Sequence, residues 1–167
     1  TNNNACSISP HSVADIVEVI KEKRQPGAGT DVRGLFIGGT LCTEAALVLA
    51  DRIDGIRTNI GVGDTVENPL DTDGHVLVDL GAEEYTRGRP HPMIEPGIRD
   101  RQLDAVLADE EVGIVLLDVV LGRGVHDDPA AGIVDAIEAA SSPPPVVVSV
   151  CGTDADPQSR TRQIERL

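Results

Sequence analysis

The stretch from Val112 to Pro129, VGIVLLDVVLGRGVHDDP, constrains the fold more than any other part of the chain. Its apolar run is interrupted only by Asp118, and then come glycines, an acid and a proline able to open a helix. A strand covered on both faces reads this way, and such strands belong to parallel sheets flanked by helices. A central parallel strand delivers its following loop to the carboxyl edge of the sheet, where open α/β domains keep their chemistry. Gly122 to Asp128 is therefore the first candidate for a site. Asp118 reads either as an edge residue or as a buried acid with a partner.

The rest of the composition fits such a sheet. Aromatic residues make up 1% of the chain, namely Phe36 and Tyr85, so the core must come from Val, Ile, Leu and Ala. That palette suits parallel strands under helices and leaves no platform for stacking bases. The formal charge of −14 argues against nucleic acid or an anionic membrane as partner. Arg87, Arg89, Arg99, Arg101 and Arg123 could still hold a small anion. Cys6, Cys42 and Cys151 show no CxxC spacing, so neither a zinc site nor a disulfide framework is expected. With no stretch long enough to span a membrane and no basic start before an apolar core, a cytoplasmic protein with reduced thiols is the expectation.

Along the chain, Thr1 to Ser7 reads as a polar tail, Ser9-Pro10 opens a helix to about Lys23, and Gln25 to Asp31 is a linker. Gly34 to Ile37 is a strand, Gly38-Gly39-Thr40 a glycine turn, and Leu41 to Arg52 a helix. Gly55 to Gly74 reads as a long loop or flap with a short strand near Ile56 to Ile60. His75 to Leu80 and Val146 to Val150 are further strands. Pro96, Asp128-Pro129 and Asp156 each mark a helix start. The expected division is residues 1–30 as tail, helix and linker, and 31–167 as an α/β domain. That domain is expected to be cut short at its C-terminal end, because doubly wound domains normally add another strand and helix.

If the strands are parallel, four loops share one edge. The amides of Gly38, Gly39 and Thr40 could hold an anion, or the glycines could serve a tight turn alone. This loop is neither GxGxxG nor a Walker sequence. In Gly88 to Pro92, prolines restrict the backbone around His91 while Arg87 and Arg89 offer planar forks for carboxylate or phosphate; a rigid connection is the bland alternative. In Gly122 to Asp128, the amides of Gly122 and Gly124 with Arg123 could hold an anion beside His126 as donor or acid. Alternatively, Asp128 only caps a helix and Arg123 faces solvent. A metal held by His126 and Asp127 lacks companion spacing. Cys151 is expected to pack, with Asp156 as a cap.

Four motifs in order carry a resemblance: GLFIGGTLCTEA (Gly34 to Ala45), VDLGAEEYTRGRPHPMIEP (Val78 to Pro96), LLDVVLGRGVHDDPA (Leu116 to Ala130) and VSVCGTDADPQ (Val148 to Gln158). Together they resemble the FdrA family, proteins similar to the succinyl-CoA synthetase alpha subunit and often called acyl-CoA synthetases. The resemblance implies a three-layer, flavodoxin-like ligase-CoA domain with a mostly parallel sheet. The amino-terminal CoA-binding domain of such proteins is not matched, so CoA or a nucleotide would be used only with other domains or subunits. True synthetases of this type carry phosphate on a histidine in a Gly-His-Ala-Gly loop, and the corresponding Thr153 to Arg162 contains no histidine. The family is also associated with oxamate carbamoyltransferase, whose phosphate leaving group and oxyanion need arginines and amides. The resemblance thus implies acyl or carbamoyl transfer from an acyl or carbamoyl phosphate. His91 would be catalytic, with Gly38, Gly39, Thr40, Arg89, Gly122, Arg123, Gly124 and His126 binding the anion. A non-catalytic assembly module of a CoA-ligase-like complex is the alternative.

Overall fold

A computed structural model describes residues 5–6, 29–66 and 73–167. The helix expected over Ser9 to Lys23, most of the following linker, and part of the Gly55 to Gly74 loop lie outside the described residues. Seven strands form one sheet: β1 (Ala5–Cys6), β2 (Asp31–Phe36), β3 (Ile56–Thr58), β4 (Asp64–Thr65), β5 (His75–Asp79), β6 (Val112–Val120) and β7 (Val146–Cys151). Their spatial order is β1-β7-β6-β2-β5-β3-β4, and every pairing is parallel. Two residues of the expected tail thus pair with β7 at the sheet edge.

The described helices are α1 (Gly39–Ala50) after β2, α2 (Glu83–Thr86) and α3 (Gly97–Leu107) between β5 and β6, α4 (Ala131–Ala139) after β6 and α5 (Arg160–Arg166) after β7. From β2 the chain moves outward through α1 to β3, while from β6 it moves the opposite way through α4 to β7. Right-handed crossovers running in opposite directions place their helices on opposite faces. The result is a three-layer α/β domain whose direction of winding reverses between β2 and β6.

Side chains alternate across a strand, and the two cores follow that period. Val32, Phe36, Leu77, Ile114, Leu116 and Val147 join Cys42 and Ala46 under α1. Leu35, Val76, Val78, Val115, Leu117 and Val119 meet Leu103 of α3 and Ile133 of α4 on the other face. Extending the alternation by one step puts Asp79, two residues after Leu77, and Asp118, two after Leu116, on the α1 face at the carboxyl edge.

Two helix starts differ from the sequence expectation. The fourth helix begins at Ala131 rather than at Asp128-Pro129, because the Asp128 carboxylate is engaged by Gln163 at 3.1 Å and by Arg166 at 3.2 Å instead of capping. The last begins at Arg160, capped by Ser159, while Asp156 closes a turn onto the amide and hydroxyl of Thr153.

Arg99 joins the layers. It is 0% exposed, and its guanidinium donates to the carbonyls of Asp118 on β6 (3.2 Å) and Pro129 before α4 (3.1 Å), and to the Asp100 carboxylate (3.2 and 3.3 Å). Removing it strands buried carbonyls and leaves a cavity. Arg99→Met is expected to destabilise the fold by about 3 kcal/mol, read by chemical denaturation, with the slope against denaturant unchanged.

Candidate functional site at the carboxyl edge

The winding reverses between β2 and β6, and the carboxyl edge beyond their ends is where open α/β sheets place ligands. Beyond β2, Ile37, Gly38 and Gly39 turn directly into α1. Gly38 occupies the N-cap with extended backbone and supplies no side-chain cap, and no acid stands in the first turn of α1. The helix therefore opens with amides that lack a side-chain acceptor, at the positive end of its dipole.

Two carboxylates stand against this turn. Asp118 is 0% exposed; its Oδ1 accepts the Ile37 N–H at 2.7 Å and its Oδ2 has no hydrogen-bond partner. A Cβ on Gly38 would lie 2.9 Å from that Oδ2, and one on Gly39 would lie 2.8 Å from Asp79 Oδ2. A side chain at either position would push a carboxylate oxygen aside. Asp79 Oδ1 accepts the Gly81 amide at 2.9 Å, and the Asp79 backbone is clasped by Asn59, which also reaches Glu84.

Burial pushes the Asp118 carboxyl up to about 6, against the pull of the Ile37 amide, Arg99 and the Gly38 amide, with the Asp79 charge pushing further upward. Burial also raises the thiol of Cys42, in the first turn of α1, aided by Asp79 and Asp118. It remains a thiol and packs under the helix. Cys151 is exposed at the end of β7 rather than packed as expected, and burial of part of its surface with the Asp118 charge raises its thiol too.

The loops after β5 and β6 are tied together beside the turn. His126 N–H donates to the Met93 carbonyl at 2.8 Å, and Met93 Cε comes within 4.0 Å of the Cβ position of Gly38. His91 accepts the Met93 amide on Nδ1 at 3.2 Å, so the neutral ring carries its proton on Nε2. That Nε2 lies 2.6 Å from the Cβ position of Gly81, which also faces the Ile37 carbonyl. His126 accepts the Asp128 amide on Nδ1 at 3.2 Å.

From the far side, Gln158 locks the β6 loop. Its Oε1 accepts the Gly122 N–H at 3.1 Å, and its Nε2 donates to the carbonyls of Gly122 (2.9 Å) and His126 (3.2 Å). Gln163 of α5 likewise accepts the Ala130 amide at 3.0 Å.

A family model for CoA-ligase matches residues 35–167. The chain belongs to this family. It is also 33% identical over 145 residues to YahF of Escherichia coli (strain K12), itself described as uncharacterized; the match covers 81% of this chain and 28% of that protein. The chain thus spans under a third of its relative's length.

Within this CoA-ligase domain, most of the residues singled out from the sequence do gather at one edge, but their parts differ. Gly38 and Gly39 hold carboxylates at close range, and Asp118 is the buried acid with a partner, not an edge residue. Thr40 is exposed in the first turn of α1. Gly122 has given its amide to Gln158, so it has none for a ligand. Arg89, Arg123 and Gly124 are exposed, and neither arginine has an ion-pair partner among the described residues. Arg87 is paired with Glu83 at 2.8 Å and Arg99 is internal, so neither adds to the edge. Asp79, Gln158 and Gln163 were not singled out. For Asp79 the alternation of β5 held the signal; nothing marked the glutamines.

The family description implies coenzyme A, whose several phosphates and adenine call for multiple cations and a cleft. The loops of this edge carry two exposed arginines, Arg89 and Arg123, and the turn between them and the sheet is lined by the carboxylates of Asp79 and Asp118, which does not fit that group.

The raised Asp118 sets a pH signature. Between its ordinary value of 3.8 and about 6, the folded chain binds more protons than the unfolded one. Stability should therefore fall as pH rises through that window and level off above it. Relative to wild type, Asp118→Asn should gain up to about 3 kcal/mol between pH ~4 and ~7, measured as the difference in unfolding free energy across that range.

Proposed function

We propose that the chain is the ligase-type domain of an FdrA-like protein and supports acyl or carbamoyl transfer from an acyl or carbamoyl phosphate. The observation that carries this reading is the N-terminus of α1, without a side-chain cap, at the point where the winding reverses, together with loops bearing Arg89 and Arg123, which are exposed and have no ion-pair partner among the described residues. Helix amides suit phosphate oxygens, and arginine forks add charge and geometry. An acceptor nucleophile attacks the carbonyl carbon, the bond from that carbon to the phosphate oxygen breaks, and inorganic phosphate leaves. The Gly39 and Thr40 amides with Arg89 and Arg123 would hold the phosphate, and His91 would pass a proton through Nε2. His126 would line the wall.

The absence of histidine from Thr153 to Arg162 favours direct transfer over a phosphohistidine relay. In that segment Gln158 holds the β6 loop, and Asp154 is held locally. Asp154 accepts from Ser159, and from both the amide and hydroxyl of Thr161, which holds its carboxyl below the usual range. The 28% coverage of YahF leaves room for companion domains to supply the acceptor. The same reading assigns the protein to the cytoplasm.

Saturating acetyl or carbamoyl phosphate should raise the thermal midpoint of the chain by a few degrees, and Arg89→Ala should abolish that protection while leaving the unliganded midpoint within about a degree. No protection of wild type at saturating ligand would sink the proposal.

A further inference from the structure

The proposed anion site stands over a group that a bound anion would disturb. Asp118 is 0% exposed, its Oδ2 is without a partner, and that oxygen is aimed at Gly38, the N-cap of α1, at 2.9 Å from the Cβ position. An oxyanion on the first amides of α1 would share this low-dielectric neighbourhood with the carboxylate. Like charges cannot both be held cheaply there. Resting on the anion-site reading above, we infer that an oxyanion binds at the N-terminus of α1 together with a proton taken up by Asp118.

The groups facing Asp118 divide, with Arg99 and the Ile37 and Gly38 amides favouring the carboxylate and Asp79 the acid, and burial decides for the acid. From β5, Asp79 adds negative charge and favours the protonated form. From α3, Arg99 opposes it, but its guanidinium is spent on backbone carbonyls and Asp100. From β2, the Ile37 amide holds Oδ1 in either state, leaving Oδ2 to take the proton. Cys42 on α1 and Cys151 on β7 have thiols raised by burial, so neither contributes a competing negative charge. A proton on Asp118 therefore removes the charge nearest the turn, and by reciprocity a bound anion strengthens the hold on that proton. Asp118 is a positioning and gating residue here, since its buried carboxyl does not touch the ligand.

His91 and His126 stand at the same edge, so the test must separate Asp118 from them. The probe must keep a constant charge, so sulfate is preferable to phosphate. Calorimetric titration of the whole chain with sulfate, at constant ionic strength and in buffers of differing ionisation heat, gives both affinity and protons taken up. Wild type should bind about tenfold more tightly at pH ~5.5 than at pH ~8, with a fraction of a proton taken up between them. Asp118→Asn should bind with less than about twofold dependence on pH, whereas a His91→Gln/His126→Gln double variant should keep the tenfold ratio. The double variant also answers the question if Asp118→Asn does not fold. Equal pH dependence in wild type and Asp118→Asn, or its loss in the double variant, overturns the coupling and leaves the anion site standing. No sulfate binding by any of the proteins at either pH removes the anion site and the coupling with it.

Discussion

A single hydrogen bond, from the Ile37 amide to the Asp118 carboxylate at 2.7 Å, closes the sheet where its winding reverses. The β2–β6 ladder runs to Leu35 opposite Leu117, and beyond it, where the chain leaves the two strands in opposite directions, this bond carries the tie on. A buried carboxylate does so at a cost in desolvation, partly offset by the amides it faces and by Arg99 behind it. Around this tie, Gly38 and Gly39 face carboxylate oxygens at close range, α1 begins without a side-chain cap, and the β5 and β6 loops meet beside the turn. The open end of α1 and the buried charge are two sides of one arrangement.

The strands were readable because fully covered strands leave long apolar runs, and β6 and β7 announce themselves in this way. Helix starts were less readable because acids and prolines serve several purposes. Asp128 and Asp156 look like caps, yet one is held by the terminal helix and the other closes a turn. Arg99 looks like one more surface arginine in an amphipathic helix, and only the third dimension reveals that it reaches through the layer to two carbonyls. The loops of the site were legible as a group, since parallel topology alone sends them to one edge. Which of their groups are free was not. Gly122 offers an amide on paper, but a glutamine thirty-six positions later has taken it.

Membership of the CoA-ligase family over residues 35–167 agrees with this architecture and leaves the chemistry to the edge residues. For the proposed anion site the balance of charge is unusual, since Arg89 and Arg123 are exposed on its loops while the carboxylates of Asp79 and Asp118 stand against the very turn that would donate amides. Its affinity would then depend on whether the inner charge is present, which ties the protonation of Asp118 to the proposed site as much as to the fold.

The glutamine clasp gives the opposite wall a different character. Gln158 and Gln163 hold Gly122, His126 and Ala130 through uncharged amides that neither titrate nor respond to ionic strength. One wall of the edge is thus clasped through uncharged amides, while the other carries the Asp118 carboxyl, pushed up to about 6. A change of charge on that carboxyl would alter the proposed grip on an anion without calling on the clasp to move.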